Sequence, residues 1–322
     1  MGAYLARRAL QAIPLLIGIS IITFVMLQMT PGGPLAAGEG AASQSSQSKI
    51  EAMRSRYGLD DPLPLQYVRW LGGIFTGDWG SSFSTGQPVL TAIGERVPAT
   101  LLLTSIALVV SVVLSLVIGV VAATRHRKTF DYVASGFSFV GLATPSFWLA
   151  IMLLYVFSFQ LDLLPSNGLR DPRARYEGWD AVWDTALHLI LPVLVLTVIS
   201  VASMSRYVRS SMLDVLGQDY IRTARGSGLS ERAVVLRHGL KNAAIPMVTI
   251  IVLSVPELFL GAAIVESIFG LPGMGRLFID AADGRDYPVL LGILMIASLL
   301  VVIANLLADY LYARLDPRIR YE

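Results

Sequence analysis

The sequence predicts an all-α protein that crosses a membrane six times. Apolar residues make up 54% of its 322 residues and charged residues only 15%, well below the quarter that is usual in soluble domains. Charge-free stretches of about 20 residues recur along the chain, and a helix of that length spans the hydrocarbon core of a bilayer. No cysteine is present, which excludes disulfides, thiolate chemistry and cysteine-ligated metal.

Six apolar runs are long enough to be these spans. In chain order they are 9–29, 99–123, 132–159, 186–205, 246–265 and 289–311. The first run begins like a signal peptide, after Arg7 and Arg8. It is long, however, and Met29, Thr30 and Pro31 make a poor cleavage site, so we expect it to be retained as a span.

The lysines and arginines orient the chain, because basic residues concentrate in the cytoplasmic connections of membrane proteins. Alternate connections are rich in them and poor in acids. They carry Arg7, Arg8, Arg125, Arg127, Lys128, Arg206, Arg209, Arg222, Arg225, Arg232, Arg237, Lys241, Arg314, Arg318 and Arg320. The other connections hold most of the carboxylates. We therefore expect both termini, and the connection between spans four and five, to be cytoplasmic.

The spans and connections divide the chain into four parts. Residues 1–30 form an N-terminal membrane helix, and 31–93 form an external loop or subdomain. Residues 94–313 form the main membrane domain of five helices, with a long cytoplasmic loop at 206–245. A short cytoplasmic tail, 314–322, ends the chain.

The chain is organised around residues 218–246, which we call the handle. Gly226 and Gly228 can take the positive φ at which a helix ends, and Ser230 can cap a second helix. Pro246 lies where the fifth span begins, an acceptable place near a helix start. Two short helices held at a membrane face would give a partner a rigid element to grip. The alternative is an amphipathic helix pair that touches only lipid.

The second span has a small residue at every fourth position. These residues, which we call the seam, are Ala107, Ser111, Ser115, Gly119 and Ala123. On a helix they share one face, so the sequence predicts close packing against a neighbouring helix.

The third span is interrupted by Thr144, Pro145 and Ser146. Pro145 removes one backbone hydrogen bond, and the neighbouring hydroxyls can satisfy the group that it frees. The interruption is either a plain kink or a position that lines a transport pathway, and the sequence leaves both interpretations open.

Several chemistries are absent from the sequence. Only three lysines occur, and none follows glycine, so there is no phosphate-binding loop for ATP. The three histidines, His126, His188 and His238, lack metal-ligand spacing, and there is no G-x-S-x-G nucleophile elbow. We expect no catalytic residue, no metal site and no bound cofactor. The basic residues of the handle fit lipid headgroups better than nucleic acid, because few aromatic residues accompany them.

Four blocks of sequence resemble the permease subunits of ATP-binding-cassette importers, in the first-subunit type of the dipeptide, oligopeptide and nickel branch. The first two blocks are Tyr4-Leu-Ala-Arg-Arg8 with Ile13-Pro14 and Thr30-Pro-Gly-Gly-Pro34, and Tyr57-Gly-Leu-Asp-Asp61 and Pro62 with Gly77-Asp78-Trp79-Gly80. The third is Asp219-Tyr-Ile-Arg-Thr-Ala-Arg225 with Gly228-Leu-Ser230 and His238. The last comprises Glu266, Phe269, Pro272-Gly273, Gly275, Asp286-Tyr-Pro288, Asn305 and Asp316-Pro-Arg318. Together they extend over nearly the whole chain, and the handle is similar to the EAA loop of that family.

The sequence departs from the family pattern at three places. The usual A-R-A-K-G is Ala224-Arg-Gly-Ser-Gly228 here, so the first helix of the handle is expected to end early. The usual P-G-D-P is Pro31-Gly-Gly-Pro34. Glu257 lies in the middle of the fifth span, where an apolar or small residue is expected.

The resemblance implies a type I importer permease fold in the cytoplasmic membrane of a bacterium or archaeon. It implies a second, homologous permease subunit, two cytoplasmic ATPase subunits or domains that use ATP and Mg, and an external substrate-binding protein. This chain would form half of the translocation pathway and be coupled to the ATPases through its handle. The residues assigned to that coupling are Asp219, Tyr220, Thr223, Ala224, Gly228 and Leu229.

Peptides are the first choice of cargo, with nickel chelates, glutathione and other small solutes left open. Thr144, Pro145, Ser146 and Glu257 are the candidate pathway residues. A carboxylate at a helix centre costs about 2.5–3.5 kcal/mol on insertion scales, so Glu257 needs water, a partner or a proton. It could attract the ammonium end of a peptide, or serve helix packing as a hydrogen-bonded side chain.

A self-sufficient secondary transporter or channel is the competing class. Such proteins usually carry several ionisable groups in their spans, whereas here only Glu257 lies mid-span and Asp309 near a span end. No inverted repeat is visible either. An intramembrane hydrolase, the third class, lacks its motifs.

Overall fold

The computed structural model describes residues 2–29, 60–174 and 176–315. Within these ranges the regular elements are helical, and one isolated antiparallel bridge joins Ser81 to Pro88. The first seven helices are α1 (Gly2–Gln28), α2 (Leu63–Thr76), α3 (Val89–Thr124), α4 (Thr129–Ala143), α5 (Ser146–Leu153), α6 (Gly178–Leu216) and α7 (Asp219–Gly226). Helix α5 continues as a π-helix, Leu154–Gln160.

The remaining helices lie in the last third of the chain. Helix α8 has three continuous parts, Glu231–Ala233, a π-helix Val234–Leu240 and Lys241–Ala243. It is followed by α9 (Ile245–Leu253), α10 (Val255–Leu260), α11 (Ala263–Ile268), α12 (Met274–Asp283) and α13 (Tyr287–Leu315).

Five segments of the described chain are long and apolar enough to cross a membrane. They are Leu10–Gln28, Val89–Thr124, Gly178–Leu216, Met247–Ile268 and Tyr287–Tyr310. Helix α4 and the α5 segment pass the same test together, although they are bent by 99°. Counting that pair as one broken span gives the six spans that the sequence predicts.

Two spans extend further than predicted. Helix α3 begins at Val89 and runs through Pro98, whereas we expected the second span to begin at residue 99. Its first turns are held by packing, since Val89 and Ile93 are buried in one cluster with residues of α12 and α13. Helix α6 continues to Leu216, so residues 206–216 extend the helix of the fourth span and are not an irregular loop. Tertiary contact overrides the local signals in both places.

The fifth span is not one straight helix. Its helices α9, α10 and α11 are separated by a turn at Ser254 and by Gly261 and Ala262. Gly261 has φ 72°, a conformation that L-amino acids with side chains rarely adopt. The break at this glycine therefore requires the absence of a side chain.

Helices α3 and α6 form the centre of the bundle and run in the same direction. Near their starts, Leu103 and Leu191 share one buried cluster. Near their ends, Ala123 shares another cluster with Val208 and Met212. The C-terminal end of α6, where the handle begins, is therefore packed against α3.

Candidate functional site

The handle is packed onto the end of α6. Gly217 and Gln218 separate α6 from α7, and the handle then folds back against the last turn of α6. Its buried core consists of Ile221, Ala224 and Val234, which pack against Val215 and Leu216. Because α7 and α8 share this core with α6, a force applied to the handle acts directly on the span.

A glycine turn joins the two helices of the handle, as the sequence predicts. The Gly228 N–H donates to the Arg225 carbonyl (3.0 Å), and the Ser227 N–H donates to the Thr223 carbonyl (2.9 Å). Gly228 has φ 80°, and a Cβ there would meet no atom within 4 Å. A side chain at 228 would therefore be penalised by backbone conformation and not by a clash. Helix α7 ends at Gly226, the first position that departs from A-R-A-K-G.

Two polar contacts fix the start of α8. The Ala233 N–H donates to Ser230 Oγ (3.4 Å), so Ser230 is the predicted N-cap. Across the turn, Arg225 Nε and Nη2 donate to the two carboxylate oxygens of Glu231 at 3.1 and 2.8 Å. This guanidinium holds the pKa of Glu231 below its usual value. Both side chains are exposed to solvent, and such a pair contributes at most about 1 kcal/mol.

The far end of α8 returns to α6 and to α7. A Cβ on Gly239 would lie 3.3 Å from Met212 Cε and 3.4 Å from Leu216 Cδ2, so this glycine sits directly on α6. Asn242 Nδ2 donates to the Tyr220 hydroxyl at 3.1 Å. The two helices of the handle are thereby tied to each other at both the turn and the open end.

Most of the residues assigned to coupling lie on the outside of the handle. Asp219, Tyr220, Thr223, Gly228 and Leu229 are exposed, whereas Ala224 is 8% exposed and faces α6. Ala224 therefore sets the shape of the handle and is not available as a contact. Leu236 is also exposed, whereas its neighbours Val234 and Val235 are buried. Sequence reasoning missed this position, because three consecutive apolar residues do not show which of them faces outward. Tyr220, Leu229 and Leu236 are exposed apolar side chains of the handle, and a protein partner could bury them.

Three of the four candidate pathway residues lie at the break between α4 and α5. Thr144 ends α4 and donates its hydroxyl to the Val140 carbonyl (2.8 Å), and Pro145 precedes α5. The 99° angle between the two helices exceeds an ordinary proline kink. Glu257 lies on α10, but its side chain is outside the described part of the structure. The role of Glu257 in the pathway therefore stays a prediction.

The seam lies between α3 and α6. All five seam residues are buried. A Cβ on Gly119 would lie 2.6 Å from Val208 Cβ and 2.9 Å from the Ser205 carbonyl oxygen. Close approach of the two central helices at this level requires glycine.

An ion pair between a buried aspartate and a partly exposed arginine joins α4 to α6. Asp131 is 3% exposed and lies in the first turn of α4. Arg209 donates to it from Nε (2.5 Å) and Nη2 (2.9 Å). The Arg127 N–H donates to the same carboxylate at 3.0 Å, and His126 Nδ1 lies 3.2 Å from it. The two charged partners are 78 positions apart in the chain, so no local pattern connects them.

A second buried carboxylate anchors the far end of the bundle. Glu266 is fully buried on α11 and accepts hydrogen bonds from Thr100 Oγ1 (2.8 Å) and the Arg276 N–H (3.0 Å). The Met274 N–H donates to Thr100 Oγ1 at 2.7 Å. Glu266 and Thr100 together satisfy N–H groups at the start of α12 and hold it against α3. The sequence marked Glu266 by resemblance, without indicating this role.

Among the described residues, no group of three or more histidine, aspartate or glutamate side chains could hold a metal ion. The two buried carboxylates, Asp131 and Glu266, instead bind arginine, threonine and backbone N–H groups. The arrangement offers contacts and mechanical connection, and its chemistry is that of hydrogen bonds and ion pairs.

Comparison with known proteins shows that this chain is similar to membrane components of transport systems. A family model described as "Binding-protein-dependent transport system inner membrane component" matches residues 115–321. A second model, described as the N-terminal part of a binding-protein-dependent transport system membrane component, matches residues 1–104. The oligopeptide transport system permease protein AppB of Bacillus subtilis is 42% identical over 322 residues, covering 100% of both chains.

Two further relatives have similar extents. The dipeptide transport system permease protein DppB of Alkalihalophilus pseudofirmus is 38% identical over 336 residues, again covering 100% of both chains. A putative peptide permease protein of Brucella suis biovar 1 is 39% identical over 321 residues, covering 99% of each chain. These similarities extend over the handle and over the whole helical bundle that supports it.

Proposed function

The chain belongs to the family of inner membrane components of binding-protein-dependent transport systems, and from that membership we propose that it is the permease subunit of an ATP-driven peptide importer. The names of its full-length relatives, which are permeases of oligopeptide and dipeptide transport systems, support peptides as the cargo. As a permease of this family, the chain works with an ATPase and with a substrate-binding protein.

The finer assignments of this proposal concern the assembly. The chain forms half of the translocation pathway and pairs with a second, homologous permease subunit. Two ATPase subunits or domains bind ATP and Mg, and this chain takes no catalytic part. The assembly lies in the cytoplasmic membrane of a bacterium or archaeon, with the handle and both termini on the cytoplasmic side. The absence of a phosphate-binding loop from the sequence supports this division of labour.

The observation that carries the proposal is the rigid handle with its exposed apolar surface. Shifting a transport site from 1:99 to 99:1 between two orientations requires about 5.5 kcal/mol of differential interaction. A chain without a nucleotide site must receive this free energy from a partner. Tyr220, Leu229 and Leu236 are exposed on an element that is packed directly onto α6. A groove on the ATPase that buried this surface would bind the handle as a short helical element and move the span with it.

Co-purification tests the proposal. The Leu229→Asp variant places a charge on the outer surface of the handle without touching its core. We expect it to lose the ATPase subunits while the membrane part of the complex remains assembled. Leu65→Asp is the matched control, because Leu65 is similarly exposed (42%, against 44% for Leu229) but lies on α2. ATPase retained by Leu229→Asp would contradict the proposal, and peptide transport by the chain alone would favour a secondary transporter.

A further inference from the structure

Helix α4 lies along α6 in the opposite direction and contacts it at three heights. Nearest the handle is the Asp131–Arg209 ion pair. Further along, Ser138 Oγ lies 3.3 Å from Ser205 Oγ. Further still, a Cβ on Gly141 would lie 2.8 Å from the Cβ of Ala202. The Ser138–Ser205 contact is a single hydrogen bond and the Gly141 contact is close packing, so of these three contacts the ion pair alone is charged and bidentate.

The ion pair has the geometry of an orienting contact. Two nitrogens of Arg209 meet the carboxylate of Asp131, and such bidentate pairs are directional as well as strong. The carboxylate also accepts a hydrogen bond from the Arg127 N–H, and His126 Nδ1 lies close to it. The ion pair therefore holds the loop before α4 as well as the two helices. The Arg209 side chain is still 27% exposed. Such a pair is weak evidence for stability, because solvent screens the exposed charge and because replacing an ion pair by apolar residues of similar size often leaves a protein as stable. A role in fixing relative position accounts for the pair better than a role in stability.

The positions of the two residues connect the handle to the broken span. Arg209 and Leu216 belong to the same unbroken helix, and seven residues of helix span about 10 Å. The handle begins immediately beyond Leu216. Asp131 belongs to α4, which ends at Thr144, where the 99° break leads into α5. One rigid path therefore leads from the handle through Arg209 and Asp131 to the break.

We propose that Asp131 and Arg209 are positioning residues that make α4 move with α6 as one body, so that displacement of the handle reaches the break between α4 and α5. This inference rests on the proposed function, in which the handle receives the movement of the ATPase. The importer needs both residues to convert ATP hydrolysis into movement of peptide. It does not need them to bind peptide or ATP.

The first test measures coupling in the complete importer reconstituted in proteoliposomes. Asp131→Asn and Arg209→Gln are each compared with the parent for peptide uptake and ATP hydrolysis in the same vesicles. We expect each variant to raise the ATP hydrolysed per peptide imported by about tenfold, within the range of a typical coupling free energy. The apparent KM for peptide should stay at the parental value. The control is Lys128→Gln, which removes an exposed positive charge from the same loop.

The second test uses the absence of cysteine from the chain. In the Ser138→Cys, Ser205→Cys double variant, an intrachain disulfide would link α4 to α6 where the two hydroxyls now meet. We expect the oxidised importer to transport peptide at the rate of the reduced one. Adding the disulfide to Asp131→Asn should restore the parental ratio of ATP to peptide, because a covalent link replaces the lost ion pair.

Two results would overturn the inference. One is a parental ratio of ATP hydrolysed to peptide imported in the assembled Asp131→Asn variant, whether both activities are unchanged or both fall in proportion. The other is loss of transport on oxidation, which would mean that α4 and α6 must slide past each other. If Asp131→Asn fails to assemble, the oxidation result alone decides. Failure of the proposed function would appear separately, as ATPase retained by the Leu229→Asp variant.

Discussion

A Cβ atom on Gly119 of α3 would lie 2.6 Å from the Cβ of Val208 on α6. Real Cβ atoms essentially never come that close, so the two central helices can hold this separation only because residue 119 is glycine. The contact lies within the seam of small residues, and small residues at helix interfaces allow the close backbone approach on which packing in a membrane depends. The separation of α3 and α6 in turn sets where the end of α6 and the handle are held.

Gly119→Leu should therefore push α3 and α6 apart. Overpacking of this kind costs typically about 1–3 kcal/mol, which we expect as a lower thermal stability of the purified complex in detergent. Gly136→Leu is the matched control, because a Cβ at Gly136 on α4 meets no atom within 4 Å. Equal stability of the Gly119→Leu variant and the parent would show that the seam does not hold the bundle together.

Gly228→Val should impair the handle without unfolding the spans. Gly228 has φ 80°, and a residue forced into a sparsely populated region costs about 1–3 kcal/mol. We expect loss of peptide uptake with normal membrane insertion of the chain. Gly226→Val provides the comparison, since Gly226 ends α7 without a positive φ and has open space around it. If both variants retain full uptake and ATPase binding, the turn is unimportant for coupling.

Glu231→Gln should have only a small effect. Arg225 lowers the pKa of Glu231 from its ordinary 4.5. The contribution of the pair to stability is thus present above that ordinary value and is lost as pH falls through the lowered one. Both side chains are exposed, so we expect a loss of less than about 1 kcal/mol at neutral pH, reduced further by salt. Thermal unfolding of the purified chain at low and high salt measures it, and a larger loss would require a partner at Glu231.

Glu266→Ala should destabilise the end of the bundle opposite the handle. It would leave N–H groups at the start of α12 without an acceptor, at about 1–3 kcal/mol for each buried donor. Gly273→Ala should act in the same way, because a Cβ there would lie 2.3 Å from Glu266 Oε2. Gly72→Ala, where a Cβ meets nothing within 4 Å, is the control. Thermal stability of the detergent-purified chain measures all three, and parental stability of both Glu266→Ala and Gly273→Ala would contradict this role.

The sequence predicts best what local chemistry determines. Apolar runs reveal the spans, and Gly228 and Ser230 mark the turn and cap of the handle, because each of these depends on residues close in the chain. Contacts between residues that are distant in the chain could not be predicted from the sequence. The start of α3 at Val89 depends on α12 and α13, and the partner of Asp131 lies on another helix. Ala224 was assigned with the coupling residues, yet its burial depends on how α7 and α8 fold onto α6.

The proposed function depends on binding of the ATPase to the outer surface of the handle. Because the chain has no cysteine, a single Leu229→Cys substitution gives one reactive thiol at that surface. With a short reagent that carries a maleimide at one end and a photoactivatable group at the other, we expect this variant in the complete importer to cross-link to an ATPase subunit and Leu65→Cys to give no such product. Labelling of the Leu229→Cys thiol by a lipid-soluble maleimide, with no cross-link to the ATPase, would show that the handle lies against lipid. That result would contradict the proposed binding of the ATPase to the handle.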